Sequence, residues 1–130
     1  MASADAPVGI IDSNEVGVFA AHLLAGKDTT AHNKAKYVLN GPEDVTGEQV
    51  LKMIEDRIGT RVANVIYKDL SFVDQMAAAT NESKNVVLSI KRAPETAWQG
   101  LCTASTTSKA VLDLAAPIQT PAQVLDTLLQ

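Results

Sequence analysis

"KYVLNGPEDVTGEQV", residues 36–50, compresses a short β-branched run, a turn and a helix start into fifteen residues. Lys36 to Leu39 reads as a strand, and Asn40, Gly41 and Pro42 stop it. Thr46 with Gln49 three residues on is a capping box, in which the threonine hydroxyl and the glutamine side chain serve each other's free backbone N–H groups. Val50, Met53, Ile54 and Ile58 then mark the buried face of a helix, and Gly59 stands where a left-handed residue closes it. RVANVIY, residues 61–67, follows as a second β-branched run. Two strands joined by a helix of this length predict a βαβ unit with parallel strands and a right-handed crossover.

Outward from that stretch the pattern is mostly helical. PVGII, residues 7–11, predicts one more short strand, and Asp12 with Glu15 forms a capping box with an aspartate at its head. Val16, Phe19, Ala20, Leu23 and Leu24 recur at helical spacing up to Gly26. Residues 27–35 are a polar loop. Beyond Asp69, Phe72, Val73, Met76 and Ala77 share a helix face, a second helix runs from Asn85 to Ala93 before Pro94, and a third from Glu95 to Ala104 carries Trp98, Leu101 and Cys102. The run 103–109 is loop-like, 110–116 is a short segment stopped by Pro117, and Thr120 caps a last helix whose first position is Pro121 and whose apolar side is Val124, Leu125, Leu128 and Leu129. The expected fold class is α/β, a small βαβ unit followed by a helical C-terminal half, in one domain spanning residues 1–130.

Composition narrows the functional classes. Of 130 residues, 46% are apolar, enough for a real core, and 11 Lys plus Arg against 15 Asp plus Glu leave a net charge of -4. That balance gives neither a nucleic-acid footprint nor a polybasic membrane patch. The longest apolar stretch, residues 16–26, is too short to span a bilayer. A single cysteine and an N-terminus without a basic, apolar leader pattern point to a cytoplasmic protein.

The blocks IIDSNEVGVFAAHLL (10–24), KAKYVLNGPEDVTGEQVLKMIEDRIGTRV (34–62) and IQTPAQVLDTLL (118–129) resemble, in that order, the C-terminal portion of NmrA-like proteins, the atypical short-chain dehydrogenase/reductase group that includes isoflavone-reductase-like enzymes. The resemblance covers residues 7–129. It implies the substrate-side part of such an enzyme, whose helices cover the cleft above the nicotinamide. In that family a glycine-rich loop in an N-terminal Rossmann half holds the NAD(P) pyrophosphate. The seven glycines here, at 9, 17, 26, 41, 47, 59 and 100, include no G-x-G or G-x-x-G spacing, so the expected cofactor set is empty and none of the family's cofactor residues carries over. The ordinary Met-Ala start favours a naturally short protein over a fragment.

Candidate chemistry is sparse. No His, Cys or carboxylate cluster has metal-ligand spacing, so no metal is expected. His22 beside an apolar face and His32 in a polar loop read as a boundary and an exposed residue, and Cys102 has no adjacent base to activate it. The resemblance places the helix of Phe72 and Met76 at the cleft. Phe72, Met76 and Trp98 are therefore the expected substrate contacts, and Asp74, on the same helix, is the expected acid or base, with burial raising its pKa. The function expected is a small cofactor-independent enzyme of the cyclase or isomerase type acting on an apolar small molecule in secondary metabolism. A non-catalytic NmrA-like protein-binding module and the substrate-binding fragment of an NAD(P)-dependent oxidoreductase are the alternatives. A sheet without its neighbour leaves an open edge, which predicts a homodimer.

Overall fold

A computed structural model describes residues 2–27, 29–81 and 83–129. Seven α-helices are found among these residues: α1 (Ser13–Ala25), α2 (Gly47–Ile58), α3 (Ser71–Ala79), α4 (Lys84–Ser89), α5 (Glu95–Trp98), α6 (Lys109–Ala115) and α7 (Pro121–Leu128). The chain divides into two compact units, one made of Met1–Pro7 with Thr46–Leu101 and the other of Val8–Val45 with Cys102–Gln130.

The expected βαβ unit is not formed. Among the described residues the one bridge is an isolated antiparallel pair, Val8 with Val45. The three β-branched runs form neither helix nor ladder, and apart from that bridge their hydrogen-bonded backbone groups find partners elsewhere. Gly9 donates to the Cys102 carbonyl and accepts from Gly41, while Val38 accepts from the Ser108 N–H and donates to the Ser108 hydroxyl. In the third run, Val62 donates to the Glu55 carboxylate. The predicted parallel partners, 36–39 and 61–67, belong to different units. Strand propensity is a fit to a pleated, half-buried surface, and here the runs have no neighbour that supplies one.

In the first unit, Thr46 and Gln49 form the predicted box, at 3.3 Å from the Gln49 N–H to the threonine hydroxyl and 2.8 Å from the Thr46 N–H to the glutamine oxygen. Gly59 closes α2 at φ 72°, in the left-handed region that costs glycine nothing. The N-terminal segment lies across the start of this helix, where the carbonyls of Ser3 and Ala4 accept from Gly47 and Glu48. The core comprises Val73, Ala77 and Val87, with Leu70, Phe72 and Ile90 packed on it, where α3 meets α4. The helix expected over 95–104 is a single turn. Gly100 takes φ 70° and ends it, and Leu101 is exposed. The helix expected up to Ala93 likewise relaxes to a 3₁₀ turn at Ile90–Arg92.

In the second unit α1 packs against α6. Its buried apolar residues are Phe19, Val45 and Val111, and the Tyr37 ring stands edge-on to Phe19 with centroids 5.2 Å apart. The stripe predicted along α1 is therefore buried at Phe19, whereas Val16 and Leu24 are exposed. Buried Asn40 ties the extended segment to the 3₁₀ turn at Ala104–Thr106, donating to the hydroxyls of Thr106 at 3.0 Å and Thr107 at 3.3 Å. Thr120 caps α7 as predicted, and Gln123 completes a capping box with it.

Candidate functional site

A groove of about 400 Å³ runs beside α1 in the second unit. Its origin lies in two helix boundaries. Pro117 cannot continue α6 and pushes Ala116 to an extended conformation, φ -56° and ψ 127°, which leaves the next two backbone N–H groups without helical carbonyls. On the other side Asp12 caps α1 by accepting from Asn14 at 2.8 Å. Glu15 does not complete the box predicted with it. Its Oε1 instead accepts from Ile118 N–H at 2.6 Å and Gln119 N–H at 3.0 Å, across a sequence separation of about a hundred residues. One carboxylate thus fastens the 116–119 segment to α1.

Glu15, Val18 and His22 are spaced by three and four residues, so they line one face of α1 over about 10 Å. Ala115, Ala116 and Ile118 face them from the other wall, and Asn14 and Gln119 add polar groups at the rim. The second carboxylate oxygen, Glu15 Oε2, is buried and has no hydrogen-bond partner. Buried acceptors of this kind are rare, because an unmade hydrogen bond costs roughly 1–3 kcal/mol and more for a charged group. Chemically the groove offers apolar walls, the Asp12 and Glu15 carboxylates, and an imidazole two turns from Glu15.

The residues expected to carry chemistry lie in the first unit. Phe72, Asp74 and Met76 share α3, and Trp98 ends α5 with the Lys68 ammonium 5.8 Å from its ring centroid. Phe72 packs on the core of its unit, while Met76 is 45% exposed. The Asp74 carboxylate is 62% exposed and pairs with Lys91 at 2.6 Å. The burial expected of Asp74 is absent here. His32 is half-buried, with Nδ1 2.6 Å from the Tyr37 hydroxyl, where an exposed loop residue was expected. No group of His, Cys, Asp and Glu able to hold a metal occurs among the described residues.

Known family models and curated proteins give no match to the chain. Its fold, however, is similar to part of an oxidoreductase. A crystal structure described as a new type of NADPH-dependent quinone oxidoreductase (QOR2) from Escherichia coli superposes on 99% of the chain with a TM-score of 0.68 and 17% identity. The chain spans 45% of that protein's length, less than half of it. At this identity the likeness establishes the fold.

A dinucleotide does not fit the starts of α1, α2 and α7. Such a cofactor places its pyrophosphate on free N–H groups at a helix N-terminus approached through glycine. The first turn of α1 is occupied by the Asp12 carboxylate, an anion that would repel phosphate. At α2 the Gly47 and Glu48 N–H groups are taken by Ser3 and Ala4, and even a Cβ on Gly47 would collide with the Ser3 carbonyl. At α7 the Thr120 hydroxyl occupies the Gln123 N–H and Pro121 has none to give.

Proposed function

We propose that this chain holds an apolar, ring-bearing small molecule in the α1 groove and serves as the substrate-side part of a small-molecule enzyme. The observation that carries the reading is the groove itself, walled by Val18, Ala115, Ala116 and Ile118 and pinned by the Glu15 carboxylate. Apolar walls with a few placed polar groups are the usual form of a ligand site. The fold likeness to an NADPH-dependent quinone oxidoreductase supports the oxidoreductase side of this reading and makes an aromatic or quinonoid ring a reasonable substrate class. A nicotinamide cofactor would then be held by protein outside this chain.

A second reading, a cofactor-independent cyclase or isomerase, is favoured by the two carboxylates, Asp12 and Glu15, that line the groove as candidate proton carriers. We propose a separate site carried by Phe72, Met76, Trp98 and Asp74, together with an NmrA-like kinship, a homodimer and a cytoplasmic location. No helix among the described residues is long and apolar enough to cross a membrane. The test is a titration of the labelled chain with 2-naphthol, followed by amide chemical shifts. Shifts at Val18, Ala115, Ile118 and Gln119 are expected. Shifts confined to α3 and Trp98 would move the site there, and NADPH binding by the chain alone would overturn the assignment of the cofactor to other protein.

A further inference from the structure

Three helix starts in this chain carry the same pattern, a capping residue followed three positions later by Glu or Gln: Asp12 with Glu15, Thr46 with Gln49, and Thr120 with Gln123. At α2 and α7 the later side chain reaches back to the capping residue's N–H, at 2.8 Å and 2.9 Å. At α1 it does not. Glu15 is diverted to the Ile118 and Gln119 N–H groups, and its second oxygen is left buried without a partner. On the small-molecule reading, on which this inference rests, we propose that Glu15 is a two-position latch on the groove. Clasped on residues 118 and 119, it holds that wall in place around a ligand. Swung back to the Asp12 N–H, it frees the wall and lets a ligand enter or leave.

The two positions lie close in free energy because their terms partly cancel. Clasping gives two charge-assisted hydrogen bonds but strands one carboxylate oxygen, which offsets much of the gain. Release restores the capping bond and hydrates that oxygen, while the exposed residues Ile118 and Gln119 turn their N–H groups to water. Asp12 opposes release, since its own carboxylate, which accepts from Asn14 at 2.8 Å, would then stand beside that of Glu15. Such a balance leaves the released form in roughly 1–10% of molecules. The movement is short. Pro117 is buried and Thr120 caps α7, so only residues 118 and 119 need leave the wall. A ligand that touches Ile118 and Gln119 binds the clasped form better and draws the population towards it.

Hydrogen exchange on the full chain tests the latch, because each amide exchanges from the form in which it is free. In the wild-type chain the Ile118 and Gln119 amides should be protected roughly ten- to hundredfold, and saturating 2-naphthol should protect them further. Asp12→Ser keeps a cap but removes the carboxylate that opposes release. Exchange at 118 and 119 should then quicken about two- to fivefold, while the amide of residue 12 slows relative to its unstructured rate. Asp12→Asn, which also keeps a cap, should do the same, and Glu15→Ala should leave residues 12, 118 and 119 all unprotected. Unchanged exchange at 118 and 119 in both Asp12 variants would overturn the latch, and so would faster exchange there with no protection gained at residue 12. If 2-naphthol still shifts the groove amides, either result leaves the small-molecule reading standing. Binding of 2-naphthol that leaves 118 and 119 exchanging as before would also overturn the latch, whereas a failure of 2-naphthol to shift the groove amides overturns that reading and the gating role with it.

Discussion

Glu15→Ala removes the clasp between α1 and the 116–119 segment, and the structure sets the size of its effect. Two N–H groups, of Ile118 and Gln119, lose a shared charged acceptor. Hydrogen bonds to charged groups contribute roughly 1.5–3 kcal/mol each, so the upper limit is about 3–6 kcal/mol. Ile118 is 73% exposed, so water can replace much of what its N–H loses, and about 2 kcal/mol remains. For a chain of this size that lowers Tm by roughly 6–10 °C. Glu15→Gln keeps an acceptor oxygen and should cost about 1 kcal/mol. Urea unfolding followed by circular dichroism measures both, and hydrogen exchange locates the loss, since the Ile118 and Gln119 amides should exchange far faster in the alanine variant. A change within about 0.5 kcal/mol, the ordinary range for surface substitutions, with unaltered exchange at 118 and 119 would refute the clasp.

Other substitutions test the rest of the account. Gly41→Ala should destabilise by about 3 kcal/mol or prevent folding, because its Cβ would meet the Ile10 carbonyl, whereas Gly17→Ala, which meets nothing within 4 Å inside α1, should stabilise by about 0.5–1 kcal/mol. Val111→Ala, at a fully buried position, should cost about 2 kcal/mol in denaturant unfolding. The Asp69 carboxyl accepts from the Ser71 N–H and hydroxyl, which hold its pKa below the ordinary 3.8. Its contribution to stability is therefore present above that pH and is lost as pH falls through the lowered value, and a carbon-detected NMR titration should show a midpoint below 3.8. Asp74→Asn breaks an exposed ion pair and should change stability by less than about 1 kcal/mol, so any loss of turnover in that variant would point to chemistry at α3.

What could be read from the sequence was what short range decides. The capping box of α2, the Thr120 cap of α7, the glycine closing α2 and the proline opening α7 depend on residues within a few positions of one another, and all are observed. The strands failed because a β-branched run states a preference for a pleated surface but not whether a partner exists, and residues 61–67 and 36–39 meet none. Gly100 takes a left-handed conformation where the spacing of Trp98, Leu101 and Cys102 had suggested a continuous helix. The groove was the least legible feature. Glu15 three residues after Asp12 looks like half of a capping box, and nothing local reveals that its partners lie at 118 and 119. The one available hint was Pro117 before Ile118 and Gln119, which strips those residues of helical carbonyls and leaves their N–H groups in need of an acceptor.

The central claim is that a small molecule sits between α1 and the 116–119 segment. Intermolecular nuclear Overhauser contacts between bound 2-naphthol and the methyl groups of the chain test it most directly. The account predicts contacts to Val18, Ala115 and Ile118 and none to Met76 or Trp98; contacts to Met76 and the Trp98 ring in place of these would contradict it.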